Sequence, residues 1–171
     1  MSFIPDKVYD YRVYDANEQL IGITGEVALP NLEATTSTLS GAGILGEMES
    51  VNIGHFGSTT VELTMKTLFQ KSFDFLSYSG QSLILRAAQL SVDSKNGLIS
   101  KRGLKITMKW QPKGLDLGKL STGAQTESKN SLEVFYIKVE ENGKELLELD
   151  KLNYIYRVNG KDQLADIKKL L

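Results

Sequence analysis

The sequence predicts an α+β domain, mainly antiparallel β, with a flanking α-helix and a long protruding β-hairpin. Three observations lead there. Apolar and polar residues alternate at 60–66, where Val61, Leu63 and Met65 interleave Thr60, Glu62, Thr64 and Lys66. They alternate again where Leu104, Ile106, Met108 and Trp110 interleave Lys105, Thr107 and Lys109. Asn96-Gly97 supplies the positive φ that a tight turn between such runs needs, and a Glu-Asn-Gly turn follows at 141–143. Helical spacing of apolar residues is confined to two short stretches, so helix is the minor component.

Taken in order, "KVYDYRVYDANEQLIGITGEVALP" reads as two short strands around an Asn/Glu turn, with Val8, Tyr11, Val13 and Tyr14 before it and Leu20 to Val27 after it. Pro30 closes this unit. The long hairpin follows at about 33–54, its arms the Thr/Ser-rich run from Thr35 and the β-branched run with Val51 and Ile53. Its tip is Gly41, Ala42, Gly43, Ile44, Leu45 and Gly46. The alternating strand at 60–66 leads into "LFQKSFDFLSYSG", where Leu68, Phe69, Phe73, Leu76 and also Phe75 suit a short amphipathic helix stopped by Gly80. A second hairpin occupies about 82–112, turning at Asn96-Gly97, and "QPKGLDLGKLSTGAQTESKN" is loop-like by composition. The end reads as strand, Glu-Asn-Gly turn, strand, "NGKD", and a helix at about 162–171 through Leu164, Ile167, Leu170 and Leu171. The 171 residues, 41% hydrophobic and 24% charged, are read as one domain, 1–171, with a core large enough for stability.

Gly41, Gly43 and Gly46 spell G-x-G-x-x-G, a dinucleotide fingerprint only when a buried strand enters it and a helix leaves it. Here a Thr/Ser-rich run enters, and a stretch with two glycines and β-branched residues leaves. The glycines are therefore read as a hairpin tip, and no cofactor is expected. With no cysteine and His55 the sole histidine, thiolate and His-clustered metal sites are excluded. A Ser-His-Asp arrangement would have to use His55, which lies between glycines and reads as a bystander. Glu47 and Glu49 are paired carboxylates at i, i+2, which equally describes a solvated strand face. No enzyme is expected. No apolar run is long enough for a membrane helix, and the first residues lack a signal-peptide h-region, which points to a protein made and kept in a cytoplasm.

The net charge of −1 conceals a division. Residues 13–65 carry seven acids and no Lys or Arg, whereas residues 66–171 carry 18 cations and 12 acids. Exposed strand edges are usually guarded by Lys or Pro, and the hairpin has neither. Such an edge invites pairing with a neighbouring copy.

On the pattern "YIKVEENGKELLELDKLNYIYRVNGKDQLADIKKLL", with Tyr136, Lys138, Gly143, Glu148, Asp150, Val158-Asn159-Gly160 and Asp162, the chain resembles the major tail tube proteins of contractile-tailed bacteriophages and phage-tail-like bacteriocins. The earlier "GEVALPNLEATTSTLSGAGILGEMES" carries the same likeness, and the ordered match covers nearly the whole chain. The resemblance implies a β-sandwich or barrel-like core, hexameric rings stacked into the inner tail tube within a sheath, and hairpins of neighbouring subunits joined into the barrel that lines the channel. It implies a virion tail protein assembled in the bacterial host cytoplasm, with sheath, tape measure protein, baseplate initiator and tail terminator as partners. DNA would pass through without specific binding. Residues 41–46 would then form the subunit or ring interface. Thr35, Ser37, Glu47 and Glu49 would be lumen candidates, since neutral or acidic walls do not hold phosphate. Lys101, Lys105 and Lys109 would face outward or toward another ring, with non-specific DNA binding beside Trp110 as their rival role. A DNA-free injection particle would share the fold and the lumen and differ in its cargo, and a carbohydrate-binding β-sandwich is a further alternative.

Overall fold

Strands form wherever the sequence alternates, and long ones form where Asn-Gly turns bring two alternating runs face to face. The computed structural model describes residues 3–15, 18–20, 23–78 and 82–171. Among them are β1 (Phe3–Asp15), β2 (Glu18–Gln19), β3 (Ile23–Ala28), β4 (Ala34–Leu39), β5 (Met48–Phe56), β6 (Thr60–Met65), α1 (Gln70–Asp74) and β7 (Ser82–Asp93). After these come β8 (Ile99–Asp116), β9 (Ser128–Glu141), β10 (Lys144–Asp150), β11 (Ile155–Val158), β12 (Lys161–Asp162) and α2 (Ala165–Lys168). One large sheet runs β12-β11-β10-β9-β8-β7-β1-β2, with antiparallel neighbours throughout.

β9 is the branching element. One edge pairs with β8 along nearly its whole length. The other pairs with β6 over Ser128–Glu133 and with β10 over Tyr136–Glu141, and β6 carries β3 on its far side. The apolar residues that alternate in the sequence all turn to one face, where Val61, Leu63, Met65, Leu83, Leu85, Ile106, Met108, Trp110, Leu132 and Val134 are buried. Phe75 closes over this face, its ring 5.4 Å from that of Trp110. Asn130, buried on β9, donates from Nδ2 to the Ser72 carbonyl at 2.8 Å and so holds α1 down. Lys71 reaches the buried Asp15 carboxylate at 3.1 Å from the other side.

Several expectations change. The chain by itself forms no closed barrel among the described residues, because β2, β3 and β12 each lack a second neighbour, and closure requires two for every strand. The first unit is not a simple hairpin. β1 pairs mainly with the twelve-residue β7 and meets β2 only at Tyr14–Gln19 and Asp15–Glu18, while β3 goes to β6. Asn17 of the expected turn and the Gly80 helix stop lie outside the described residues. Helix α1 is five residues long and buries Ser72, with Phe75 just beyond it; Phe69, Phe73 and Leu76 face solvent. So short a helix offers the core one turn, and that turn is chosen by Trp110 and Asn130. Part of the expected loop is strand: β8 continues through Pro112 to Asp116. Beyond Lys109 it has no β7 partner, so the missing Pro112 N–H costs no ladder bond, and register shifts at Lys109/Trp110 and Pro112/Gly114 absorb the Pro and Gly. Helix α2 is four residues long, and Leu164 alone of its expected apolar face is buried.

The Asn-Gly turns divide into two kinds. Asn142-Gly143 and Asn159-Gly160 have both residues at positive φ, as a two-residue type I′ hairpin requires. At 96–97 only Gly97 does; the loop is longer, closed by Asp93 N–H donating to the Leu98 carbonyl at 2.9 Å.

Candidate functional site

The hairpin β4–β5 stands apart from the large sheet as a two-stranded sheet of its own. A lone two-stranded ribbon is marginal in water, so its order depends on what it touches. From Thr35 to Glu49 every residue is exposed, with Leu39, Met48, Val51 and Ile53 among the large apolar side chains left in water. At the tip Ile44 N–H donates to the Gly41 carbonyl at 3.1 Å, and Gly43 and Gly46 take φ of +88° and +96°. Nothing lies within 4 Å of a Cβ built on either, so within one chain these glycines serve the bend alone. Leu45 is fully exposed at 107% of its reference area, and Ile44 is 39% exposed.

Register divides the sequence-predicted lumen residues. Thr36 lies opposite Val51, Ser37 opposite Ser50, Thr38 opposite Glu49 and Leu39 opposite Met48. Opposed residues share a face and successive residues alternate. Ser37 therefore faces one way with Leu39, Met48 and Ser50. Thr35 joins them, since its Oγ1 accepts from Asn52 Nδ2 at 3.3 Å and donates to the His55 carbonyl at 3.3 Å. Glu49 faces the other way with Thr36, Thr38 and Val51, and Glu47 precedes the strand at the same parity.

The root of the hairpin is clamped. Gly57 N–H donates to the Glu33 carbonyl at 3.1 Å, Phe56 packs edge-on against Tyr156 with centroids 5.2 Å apart, and Leu164 lies over Gly54 with Cδ2 3.0 Å from where a Cβ would stand. Glu133 of β9 accepts from Ser58 Oγ at 2.7 Å and from Thr59 N–H at 3.1 Å. Lys113 of β8 donates to Thr60 Oγ1 at 2.9 Å and to Glu133 at 3.4 Å. Lys151 donates to the Gly57 carbonyl at 2.8 Å and to Thr59 Oγ1 at 2.5 Å. Burial by itself raises the Glu133 carboxyl pKa, but the Ser58, Thr59 and Lys113 hydrogen bonds and the Lys113 charge together hold it below the usual range. Burial pulls the Lys151 ammonium down despite the charge of Glu133. Sequence reading missed this clamp, whose side-chain hydrogen bonds join residues 20 to 94 apart and carry no local motif.

The C-terminal pattern residues converge on the sheet's far edge. Tyr136 Oη donates to Glu148 at 3.1 Å, Arg157 pairs with the same carboxylate, and Lys138 lies opposite Glu148 across the strands. Asp150 caps the turn after β10 by accepting from Leu152 N–H and Asn153 N–H, both at 3.0 Å. Asp162 accepts from Leu164 N–H at 2.9 Å and from Lys168 at 2.8 Å, and the Lys168 bond, then that of Leu164, draws its carboxyl below the usual range. Burial, then the Glu148 charge and hydrogen bond, push the Tyr136 phenol up to about 12. The pattern is thus a structural ladder that fixes Leu164 against the hairpin root. On the basic strand Lys101 is exposed, Lys105 pairs with Glu140 at 3.7 Å, and Lys109 sits 5.1 Å over the Tyr136 ring; Trp110 is buried on the opposite face, which removes it as a stacking platform.

A family model described as phage tail tube protein FII matches residues 5–171. The chain belongs to that family. Among relatives of the tail tube FII family, the tail tube protein of Escherichia phage P2 is 39% identical over 66 residues, which is 39% of this chain and 38% of that protein. The matched segment thus spans well under half of that relative's length. Among solved structures, the sheath/tube terminator of an extracellular contractile injection system, PVC, in its extended state aligns with a TM-score of 0.55 at 12% identity. That alignment covers 80% of this chain and 96% of the other, and it shows a shared fold. None of the described helices is long and apolar enough to cross a membrane.

Proposed function

We propose that this chain is the building block of the inner tail tube of a contractile phage-like particle, stacked as hexameric rings within a sheath and serving as the conduit for DNA ejection. The observation that carries the reading is the hairpin: a two-stranded ribbon exposed on both faces, with apolar Ile44 and Leu45 at its tip. Apolar surface of this kind is stabilised by roughly 25 cal/mol per Å2 once a neighbour covers it. The hairpin edges carry no Lys or Pro between Ala34 and Phe56, which leaves them free to extend a sheet across subunits. A sheet joined around a ring has the closure that the single chain lacks.

Within such a tube the hydroxyl face with Thr35 and Ser37 lines the lumen, where uncharged side chains give phosphate nothing to adhere to. Glu47 and Glu49 then turn toward protein. Sheath, tape measure protein, baseplate initiator and tail terminator are the partners this role entails, and the particle's tail is its location after assembly in the bacterial cytoplasm. Negative-stain electron microscopy of the purified protein at high concentration tests the reading. Hollow tubes or six-fold rings are the expected result, and their loss in a variant with Ile44→Asp and Leu45→Asp places the tip at the contact. Monomers alone, even with a tail initiator complex present, would overturn it.

A further inference from the structure

On the solvent face of the large sheet, Arg12 lies opposite Arg86, and Arg86 lies opposite Lys105. Three cations therefore stand side by side on three adjacent strands, about 5 Å from one to the next. Like charges directly opposite each other destabilise a sheet, so this row costs the isolated chain stability. Lys105 is compensated by Glu140 at 3.7 Å, whereas Arg12 and Arg86 are exposed and have no carboxylate within ion-pair distance among the described residues. In the next row Ala88 faces Gly103, two residues too small to fill the space above them. They form the floor of an open groove of about 760 Å3, with Arg12, Arg86 and Lys105 along one side, Lys101 on the other and Asn142 at one end. Asp10, opposite Ala88, and Glu140 also border it, so the four cations Arg12, Arg86, Lys101 and Lys105 outnumber two carboxylates there.

We infer that this groove receives the acidic arm of the β4–β5 hairpin of a second copy of this chain, with Glu47 and Glu49 set against Arg12, Arg86 and Lys105. The inference rests on the tube reading above and names the surface that reading leaves unspecified. Charge complementarity selects the occupant. The chain has no Lys or Arg from 13 to 65, and Glu47 and Glu49 are exposed on the projecting β4–β5 hairpin, two residues and so about 7 Å apart. Glu49 shares its face with Val51, an apolar residue that also lacks cover. Hairpin and groove are different surfaces, so each copy offers one and accepts the other. Such a head-to-tail contact propagates into rings and filaments instead of ending at a pair.

The chain has no cysteine, which makes a directed cross-link clean. Glu49→Cys and Arg86→Cys variants, mixed under mild oxidation in assembly conditions, are expected to yield a disulfide-linked species. Glu49→Cys mixed with Lys119→Cys, on a different loop, is not. In parallel, Arg86→Glu with Lys105→Glu is expected to raise the critical concentration for tubes about tenfold or more, and adding Glu47→Lys and Glu49→Lys in the same chain to restore it. Trp110 fluorescence matching the parent's verifies the fold of each variant. If the parent forms no tubes, the tube reading fails and this inference with it. If the parent forms tubes while charge reversal changes nothing, or the cross-link appears equally with the Lys119 control, this inference alone is overturned. Loss of assembly that the compensating reversal does not restore also overturns it, as does binding of a labelled oligonucleotide by the parent that the Arg86→Glu and Lys105→Glu variant loses with assembly intact, which gives the groove to another anion.

Discussion

At Gly118 the backbone turns through φ +79°, and a Cβ there would stand 2.1 Å from the Thr126 carbonyl oxygen. That oxygen accepts from Lys119 N–H, and Thr126 N–H in turn donates to the Lys66 carbonyl, so the whole 117–127 loop is tied to the end of β6 through this point. Gly118→Ala is expected to lose about 3 kcal/mol, read as a lower urea midpoint, against about 1 kcal/mol for Gly43→Ala, where only φ is strained. Tyr136 offers a second test. Its folded pKa of about 12 exceeds the ordinary value near 10, so its contribution is fully present below pH ~10 and is lost as pH rises toward 12. Phenolate absorbance at 295 nm should show one tyrosine ionising near 12, missing in Tyr136→Phe. Glu133 has the opposite sign. Its lowered pKa gives stability that is present above the ordinary carboxylate range and lost as pH falls through the folded value, so Glu133→Gln should flatten the acid limb of a stability–pH curve. Of these residues Gly43 and Tyr136 stood out in the sequence, because each belongs to a dense local pattern; Gly118 and Glu133 matter through Thr126 and Thr59, which spacing does not reveal.

Alternation made the cores of β6 and β8 legible at the level of elements, since period two with one apolar face has a single burial solution. The type I′ turn at Asn142-Gly143 was legible for the same local reason, whereas the one at Asn159-Gly160 joins a two-residue strand too short to show alternation. What was not legible was partnership. Nothing in "KVYDYRVYD" says that it will pair with β7 instead of the segment that follows it, because pairing is settled by competition among strands distant in sequence. The aromatic run at 68–76 has helical spacing on both sides of a short helix, and Trp110, not periodicity, decided that Phe75 goes inward. For the hairpin the glycine tip and the missing gatekeepers were readable, whereas the division of Thr35 and Ser37 from Glu49 required the register. Because no side chain from Thr35 to Glu49 is buried, amides of residues 34–53 should exchange rapidly in the free subunit and slowly in tubes, while those of β8 and β9 stay protected in both.

Among the described residues one apolar cluster, shared by β1, β6, β7, β8, β9 and β10, forms the core, and the hairpin meets it at its root through Phe56. Unfolding should therefore be one event. Trp110 emission, which reports the Phe75 contact, and far-UV circular dichroism, which reports the strands, should give coincident urea transitions; two separated midpoints would show that the fork in β9 divides the sheet into independent halves. That fork has a mechanical meaning as well. The hairpin enters the sheet at Gly57–Thr59, beside the point where β9 exchanges β6 for β10, and Val134 N–H donates to the Thr59 carbonyl there at 2.7 Å while Lys151 N–H donates to the Phe135 carbonyl at 3.0 Å. A pull on the tip does not peel an edge strand bond by bond. It arrives at the middle of β9 and is divided among β6, β8 and β10, so that many hydrogen bonds share the force when a column of such subunits is driven forward.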